Sequence, residues 1–471
     1  MRSLVWFRSD LRVEDNTALY RAASVSTRGV IGLFLISPAQ WTAHDWAACR
    51  VDLLRRTLGE VSASLGALNI PLLIAAADRF DDAPAAVMRV MKKHACDALH
   101  YNIEYEVNES RRDDAVKRAA AKAGAAVFDH HDQVVCPPGS IRTGSGTYYT
   151  VFTPFKKAWL KRIEETGGVR ACPRPKKQEA LGIAPDPVPR SAAWFQSATE
   201  EQRWPAGERH ARRTLDEFAG CRINRYADDR DAPAADGTST LSPHLAVGAI
   251  SPRQCVLAAW EGGHRAFDRL PRGRAVWISE VIWREFYRHI LVGFPRVCMH
   301  RPFRLETERV NWRDDPEAFR AWSEGRTGFP IVDAGMRQLR RVGWMHNRLR
   351  MISAMFLAKH LLIDWRRGER FFMQHLVDGD LASNNGGWQW SASTGTDAAP
   401  YFRIFSPLSQ SKAYDPDGTF IRRFVPELAD ADAREIHDPP ALMRARLGYP
   451  MPIVDHAEAR ARAIKAFEAI K

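Results

Sequence analysis

Four residues in the run WISEVIWREFYRHI are spaced to do chemistry together. Glu280, Trp283, Arg284 and Tyr287 stand at i, i+3, i+4 and i+7, which puts their side chains on one face of a helix. That face carries a carboxylate, an indole and a guanidinium side by side. A purely structural amphipathic helix keeps aliphatic groups on its buried face and charge on the other. Glutamate beside tryptophan suits a flat, base-like ligand, because the carboxylate accepts from ring N–H groups while the indole stacks. The competing structural reading is a partly buried Glu–Arg pair beside a core tryptophan.

A second run, DGDLASNNGGWQWSASTGTDAAPYFRIF at residues 378–405, shows neither helical nor strand period. Its Asn-Asn and Gly-Gly pairs waste burial and cost backbone entropy in a core. Trp388 and Trp390 are too large for an incidental surface loop. The expectation is an irregular segment wrapped closely around a flat, polar ligand. Further upstream, GTSTLSPHLAVGAISP gathers Thr238, Ser239, Thr240 and Ser242 ahead of a helical stretch, with Tyr226 and Arg230 before them. Hydroxyls and backbone N–H groups at a helix start bind phosphate without a glycine-rich loop. In WMHNRLRMISAMFLAKHLL, Asn347 and Met351 fall at i and i+4 beside Arg348, while His346 reads as a structural histidine.

The chain has 471 residues, 45% of them hydrophobic and 26% charged, enough to build two or three globular domains. A net charge of +12 favours a polyanionic partner. Arg301, Arg304, Arg309, Arg337, Arg340, Arg341, Arg348, Arg350 and Arg403 interleave with Trp283, Trp312, Trp344 and Tyr401. Arginines that hold phosphates beside rings that stack bases point to nucleic acid. The seven cysteines form no CxxC pair, which argues against a disulfide framework, a zinc site or an iron–sulfur cluster. Arg8, Asp10 and Arg12 interrupt any N-terminal signal region, and no stretch is long enough to span a membrane. The expected location is the cytoplasm, and no membrane partner or metal is expected.

The elements that must position these residues fall into two styles. Compact apolar runs at 3–7, 29–37, 71–77, 98–102 and 125–130 alternate with helical stretches such as 46–65 and 84–93. Strands alternating with helices predict a doubly wound parallel sheet, an α/β domain over residues 1–131. No GxGxxG or GxxxxGK[ST] follows any strand, which excludes the usual dinucleotide and P-loop modes there. Residues 132–204, with the proline-rich run 170–190, read as an interdomain linker. Residues 205–471 read as all-helical, with long helices at 275–294 and 343–365 and a last short one at 458–470.

The motifs WFRSDLRVEDN, GTSTLS, WREFYRH, WMHNRLRM and DGDLASNNGGWQWSASTGTDAAPYFRIF together resemble the DNA photolyase/cryptochrome family. The resemblance spans nearly the whole chain and is strongest to the class I cyclobutane pyrimidine dimer photolyases of bacteria. It implies an α/β antenna domain, a connector and a helical domain that holds folded FAD. Carried onto this sequence, the FAD contacts fall on Tyr226, Thr238, Ser239, Thr240, Leu241, Ser242, Trp277, Arg350, Asp378, Gly379 and Asp380. Asn384 would face the reactive flavin nitrogen, where plant cryptochromes carry Asp and animal ones Cys. Trp388, Trp365 and Trp312 match the family's electron-hopping chain.

The resemblance also implies DNA contacts at Arg230, Glu280, Trp283, Arg284, Tyr287, Asn347, Arg348, Met351, Arg403 and Gln410. The (6-4) photolyases carry histidines where Asn347 and Met351 stand, so repair of cyclobutane dimers is the expected activity. The partner is then UV-damaged DNA, bound by a monomer. His44, Asn108 and Glu109 match the antenna pattern of methenyltetrahydrofolate photolyases, ahead of a deazaflavin. Met299 follows Cys298 where that pattern has lysine. A cryptochrome-type photoreceptor is the competing expectation. The presence of the dimer-binding residues and the absence of a long disordered segment after the last helix weigh against it.

Overall fold

The structure, a computed structural model, describes residues 1–189, 199–260 and 267–470. Arg190, which ends the proline-rich run, and residues 191–198 of the expected linker lie outside the described residues. The chain divides into two compact units. The first comprises Met1–Asn224, Ser239–Pro295 and Val377–Gly379; the second comprises Arg225–Thr238, Arg296–Leu376 and Asp380–Lys471.

The first unit is built on a five-stranded parallel sheet in the order β3-β2-β1-β4-β5. The strands are β1 (Ser3–Phe7), β2 (Val30–Ile36), β3 (Leu72–Ala76), β4 (Ala98–Asn102) and β5 (Ala126–His130). Leu4 of β1 pairs with Ile31 on one side and Leu99 on the other. Every residue of β1 and β4 is buried, because helices cover both faces of a parallel sheet. That is why these strands read as unbroken apolar runs. Helices α1 (Thr17–Val25), α2 (Ala48–Gly66), α3 (Ala83–Lys93) and α4 (Val107–Lys122) supply the crossovers and helical cover. β3 and β5 are the edge strands, and Phe128 on β5 is 42% exposed.

Two further helices of this unit matter for the site: α5 (Phe152–Glu165) and α6 (Arg272–Gly293). A buried carboxylate ties them to the segment after β5. Glu285 of α6 accepts from the backbone N–H of Val135 (2.6 Å) and Cys136 (2.8 Å), and from Trp159 Nε1 of α5 (2.7 Å). Burial pushes its pKa up to about 7, against the pull of those donors. Nearby, Arg253 donates to Asp15 and to Asp132 (2.7 Å), and Arg12 pairs with the same Asp132. The paired charges satisfy one another where an isolated charge would be costly.

The second unit is helical, with one isolated bridge between Arg313 and Ile363 among the described residues. Helix α7 (Pro330–Val342) ends at Gly343, whose φ of +69° closes the helix in the left-handed region. The expected continuous helix over 343–365 is not found. Helix α8 (Asn347–Met355) passes into a π turn at Phe356–His360, Leu362 takes a φ of +52°, and α9 (Trp365–Met373) starts afresh under an Asp364 cap. Local apolar periodicity does not register such a break.

The second correction concerns residues 378–405. The expected irregular wrap is in large part a helix, α10 (Leu381–Ala392). Asp380 caps it, accepting from Ser383 N at 2.9 Å, and Ser393 closes it at a φ of +62°. The low helix propensity of Asn-Asn-Gly-Gly is overridden by tertiary contacts. Asn385 donates to the buried carboxylate of Glu369 (2.8 Å) on α9 and accepts from Gln389 (2.8 Å), whose own carbonyl takes Phe303 N (2.7 Å). A final helix, α11 (His456–Glu468), packs Phe467 against Trp312. No helix among the described residues is long and apolar enough to cross a membrane.

Candidate active site

Helix α6 is buried on almost all sides. From Trp277 to Leu291 the residues that escape full burial are Glu280, Trp283, Arg284 and Tyr287, the four singled out by spacing. Trp283 lies flat on Phe152 of α5, centroids 3.7 Å apart and planes within 7°. Phe286 meets the indole edge-on at 5.5 Å and Tyr287 sits 5.6 Å away. Arg284 donates to the Gln133 carbonyl at 2.7 Å, so its guanidinium is already anchored to the protein. Lys156, one turn along α5 from Phe152, donates to Ser279 Oγ at 2.7 Å. Burial lowers its pKa, and the charge of Glu280 opposes that. Trp277 is buried beside Phe218, ring centres 5.3 Å apart.

The hydroxyl run is divided between the units, with Thr238 in the second and Ser239, Thr240, Leu241 and Ser242 in the first. The helix that follows, Ser242–Val247, has six residues, and Pro243 in its first turn carries no N–H. The helix start is therefore poor in backbone donors, and the Thr240 hydroxyl donates to the Ser239 carbonyl at 2.8 Å. Thr240 adopts a φ of +51°, turning the chain sharply before buried Leu241. Asp378 and Gly379 are buried in the first unit.

In the second unit Asn384 donates its amide nitrogen to the Glu369 carbonyl at 3.0 Å. A carbonyl can only accept, so the amide is oriented and its own oxygen is presented as an acceptor. One turn on, a Cβ added at Gly387 would meet nothing within 4 Å, leaving room for a flat group to approach the helix. An oriented acceptor beside an open glycine suits a flavin ring, and the donor set fits that cofactor.

On α8, Asn347 is exposed in the first turn and points its amide toward Met351 Sδ at 3.9 Å. His346 caps the helix, Nδ1 accepting from Arg348 N at 3.2 Å, and burial pushes its pKa down to about 4. Arg348 is committed to Asp231 (2.9 Å) and lies 4.3 Å from the Tyr414 ring. Arg230 flanks the same Asp231 at 3.8 Å and stands 5.4 Å from buried Tyr226. Arg350 donates to the Met345 carbonyl at 2.8 Å. Arg403 is exposed, and Gln410 lies half-buried on helix Pro407–Tyr414.

Trp365 and Trp388 share one apolar core, with Trp312 packed against it. Trp388 rests on Gly368, one turn from Trp365 on α9; a methyl group at Gly368 would collide with the indole. Trp322, which sequence reasoning passed over, meets Trp388 edge-on at 6.0 Å.

The three antenna residues do converge in the first unit. His44 Nε2 accepts from Gln40 Nε2 (2.8 Å) and Asn108 Nδ2 (3.1 Å), and Nδ1 faces Glu109 at 3.3 Å. Two amide donors on Nε2 require the proton on Nδ1. Beside this cluster a cleft is lined by Trp41, Trp46, Arg8, Glu109 and Arg112.

A parallel α/β unit and a helical unit agree with comparisons against known proteins. The DNA photolyase family model matches residues 3–176, and the model for the FAD binding domain of DNA photolyase matches residues 277–469. The chain belongs to the DNA photolyase family. It is 45% identical to the deoxyribodipyrimidine photo-lyase of Escherichia coli K12 over 99% of this chain and 98% of that protein. Among solved structures it is similar to a bacterial class III photolyase from Agrobacterium tumefaciens, with a TM-score of 0.85, 34% identity and coverage of 100% and 97%. It is also similar to the Synechocystis cryptochrome, with a TM-score of 0.86, 26% identity and coverage of 99% of each chain.

Within this photolyase, three residues that sequence reasoning missed act as supports. Glu369 orients Asn385, and its backbone orients Asn384. Glu285 fixes α5 to α6, and Asp231 holds Arg348. Each is a partner distant in sequence, so no local pattern could have found it.

Proposed function

We infer that this photolyase repairs cyclobutane pyrimidine dimers in UV-damaged DNA, driven by blue light. The observation that carries this reading is the open stripe Glu280, Trp283, Arg284 and Tyr287 on an otherwise buried helix. A flat stacking surface beside a carboxylate reads a pair of bases drawn out of the duplex, and a damaged site lowers the cost of drawing them out. When bound, reduced FAD supplies the electron that opens the cyclobutane ring and takes it back afterwards. Trp283 stacks on the dimer, and Glu280 and Asn347 hydrogen-bond to it as charge develops there. The hydroxyls of Thr238, Ser239, Thr240 and Ser242 hold the cofactor phosphates, and Asn384 offers its oxygen to the flavin. Trp388, Trp365 and Trp312 pass electrons inward to reduce the cofactor. Arginines along the DNA face neutralise phosphates, so affinity falls as salt rises.

His44, Asn108 and Glu109 form the antenna site, and methenyltetrahydrofolate is its occupant in this reading. An imidazole held between amides and a carboxylate suits the polar pterin edge of a folate. The deciding experiment is repair of an oligonucleotide carrying one thymine dimer, in blue light with a dark control. Light-dependent loss of the dimer is expected. A flavin that cycles in light while the dimer persists would favour a photoreceptor.

A further inference from the structure

We propose that Phe152, in the segment whose sequence reads as a linker, is a positioning residue for lesion recognition, acting as the backing plate for Trp283. This rests on the dimer-repair reading above. The two rings lie parallel at 3.7 Å, with planes 7° apart. One face of the indole is thereby taken, and a flat ligand ring can add to the opposite face as the third layer of a stack. The contact is part of a matched seam. Phe152 and Lys156, one turn apart on α5, meet Trp283 and Ser279 on α6. Further along, Phe155 meets His289 edge-on at 4.8 Å, and Trp159 donates to Glu285 at 2.7 Å. Helix α5 therefore arrives at the stripe in one register, with Phe152 at its N-terminal end as the residue under the indole. Phe286 supports the indole edge, so the tilt of Trp283 is set from two directions.

A single aromatic ring on a flexible side chain stacks poorly, because ordering it costs rotamer freedom that the ligand contact must offset. A ring already clamped to a second ring has lost that freedom before the ligand arrives. Phe152 thus contributes to discrimination between a flipped dimer and intact DNA, and leaves phosphate contacts alone.

The test measures binding, in the dark, to one oligonucleotide with a thymine dimer and to the same sequence undamaged. The variants are Phe152→Leu, Phe152→Met, Phe152→Tyr, Trp283→Ala and the Phe152→Leu/Trp283→Ala pair. The expected result is a threefold to tenfold loss of the damaged-to-intact affinity ratio in Phe152→Leu and Phe152→Met, given the usual worth of an aromatic pair. Affinity for intact DNA stays near wild type, Phe152→Tyr restores the ratio, and the double variant discriminates no worse than Trp283→Ala. Phe152→Met keeps a large apolar side chain, which guards against a variant that fails to fold. Full discrimination in both non-aromatic variants, additive losses in the double variant, or parallel loss on intact DNA would overturn the role of Phe152. Wild-type protein that does not distinguish the two oligonucleotides would instead sink the dimer-repair reading itself.

Discussion

Asn384 gives its amide nitrogen to the backbone carbonyl of Glu369 and so keeps its own oxygen as the acceptor on α10. The side chain is held by backbone of another helix, not by its own flexibility, so its chemistry is set before any cofactor binds. Purified protein is therefore expected to carry non-covalent FAD and to reach the fully reduced state in blue light with a reductant. Asn384→Leu keeps the volume and removes the acceptor. It should disfavour the reduced, protonated flavin by about 1–2 kcal/mol, roughly a tenfold change in the balance of redox states. Absorbance spectra during illumination check this. A colourless protein that takes up no flavin would falsify the cofactor assignment.

The contact of Trp388 with Gly368 gives the tryptophan route a structural handle. Trp312→Phe and Trp365→Phe should slow photoreduction of oxidised FAD strongly, while chemically reduced enzyme repairs at close to the normal rate. Gly368→Ala should cost about 1–3 kcal/mol of stability by overpacking and should also impair photoreduction, since the added methyl displaces Trp388. Thermal melts and flash absorbance separate the two effects. Photoreduction at the wild-type rate in both tryptophan variants would show that another route feeds the flavin.

Lesion choice follows from the acids that are missing. Asn347 and Met351 supply an amide and a thioether, and neither donates a proton usefully. His346 is neutral near pH 7, because burial holds its pKa at about 4, and its Nδ1 already accepts from Arg348 N. Repair of cyclobutane dimers with no measurable turnover of (6-4) products is expected between pH 6 and 8. Comparable turnover of the two lesions under the same light would mean that an acid does reach the substrate.

Glu285 makes stability depend on pH. Its folded pKa, raised to about 7 by burial, lies above the value for an unfolded glutamate. The folded state then binds the proton more tightly, so its contribution is full below about pH 4.5 and is lost as pH rises through 7. The size is on the order of 3 kcal/mol, by the linkage between a pKa shift and stability. Glu285→Gln should flatten the slope of unfolding free energy between pH 5 and 7.5, measured by urea titration. An unchanged slope would assign that proton to a different group.

The parts of the molecule that were legible in sequence are those whose signal is local. β1 and β4 announce themselves because parallel strands buried on both faces need unbroken apolar runs. The stripe on α6 is legible because a period of 3.6 residues turns spacing directly into a face. α10 was misread because its asparagines are held by Glu369, a partner on another helix that no local window includes. The break between α8 and α9 was invisible for the same reason, as apolar residues continue across the π turn. Phe152 escaped because its meaning lies wholly in Trp283, which arrives from a remote part of the chain.

The narrowness of the open stripe on α6 has an evolutionary consequence. With the rest of that helix locked into the interior, the stripe is not free of the packing either, since Trp283 is clamped by Phe152 and Arg284 is anchored to Gln133. A change at Trp283, Arg284 or Tyr287 therefore alters the packing together with the presented surface. Selection on the presented surface and selection on the fold are thus coupled at these positions.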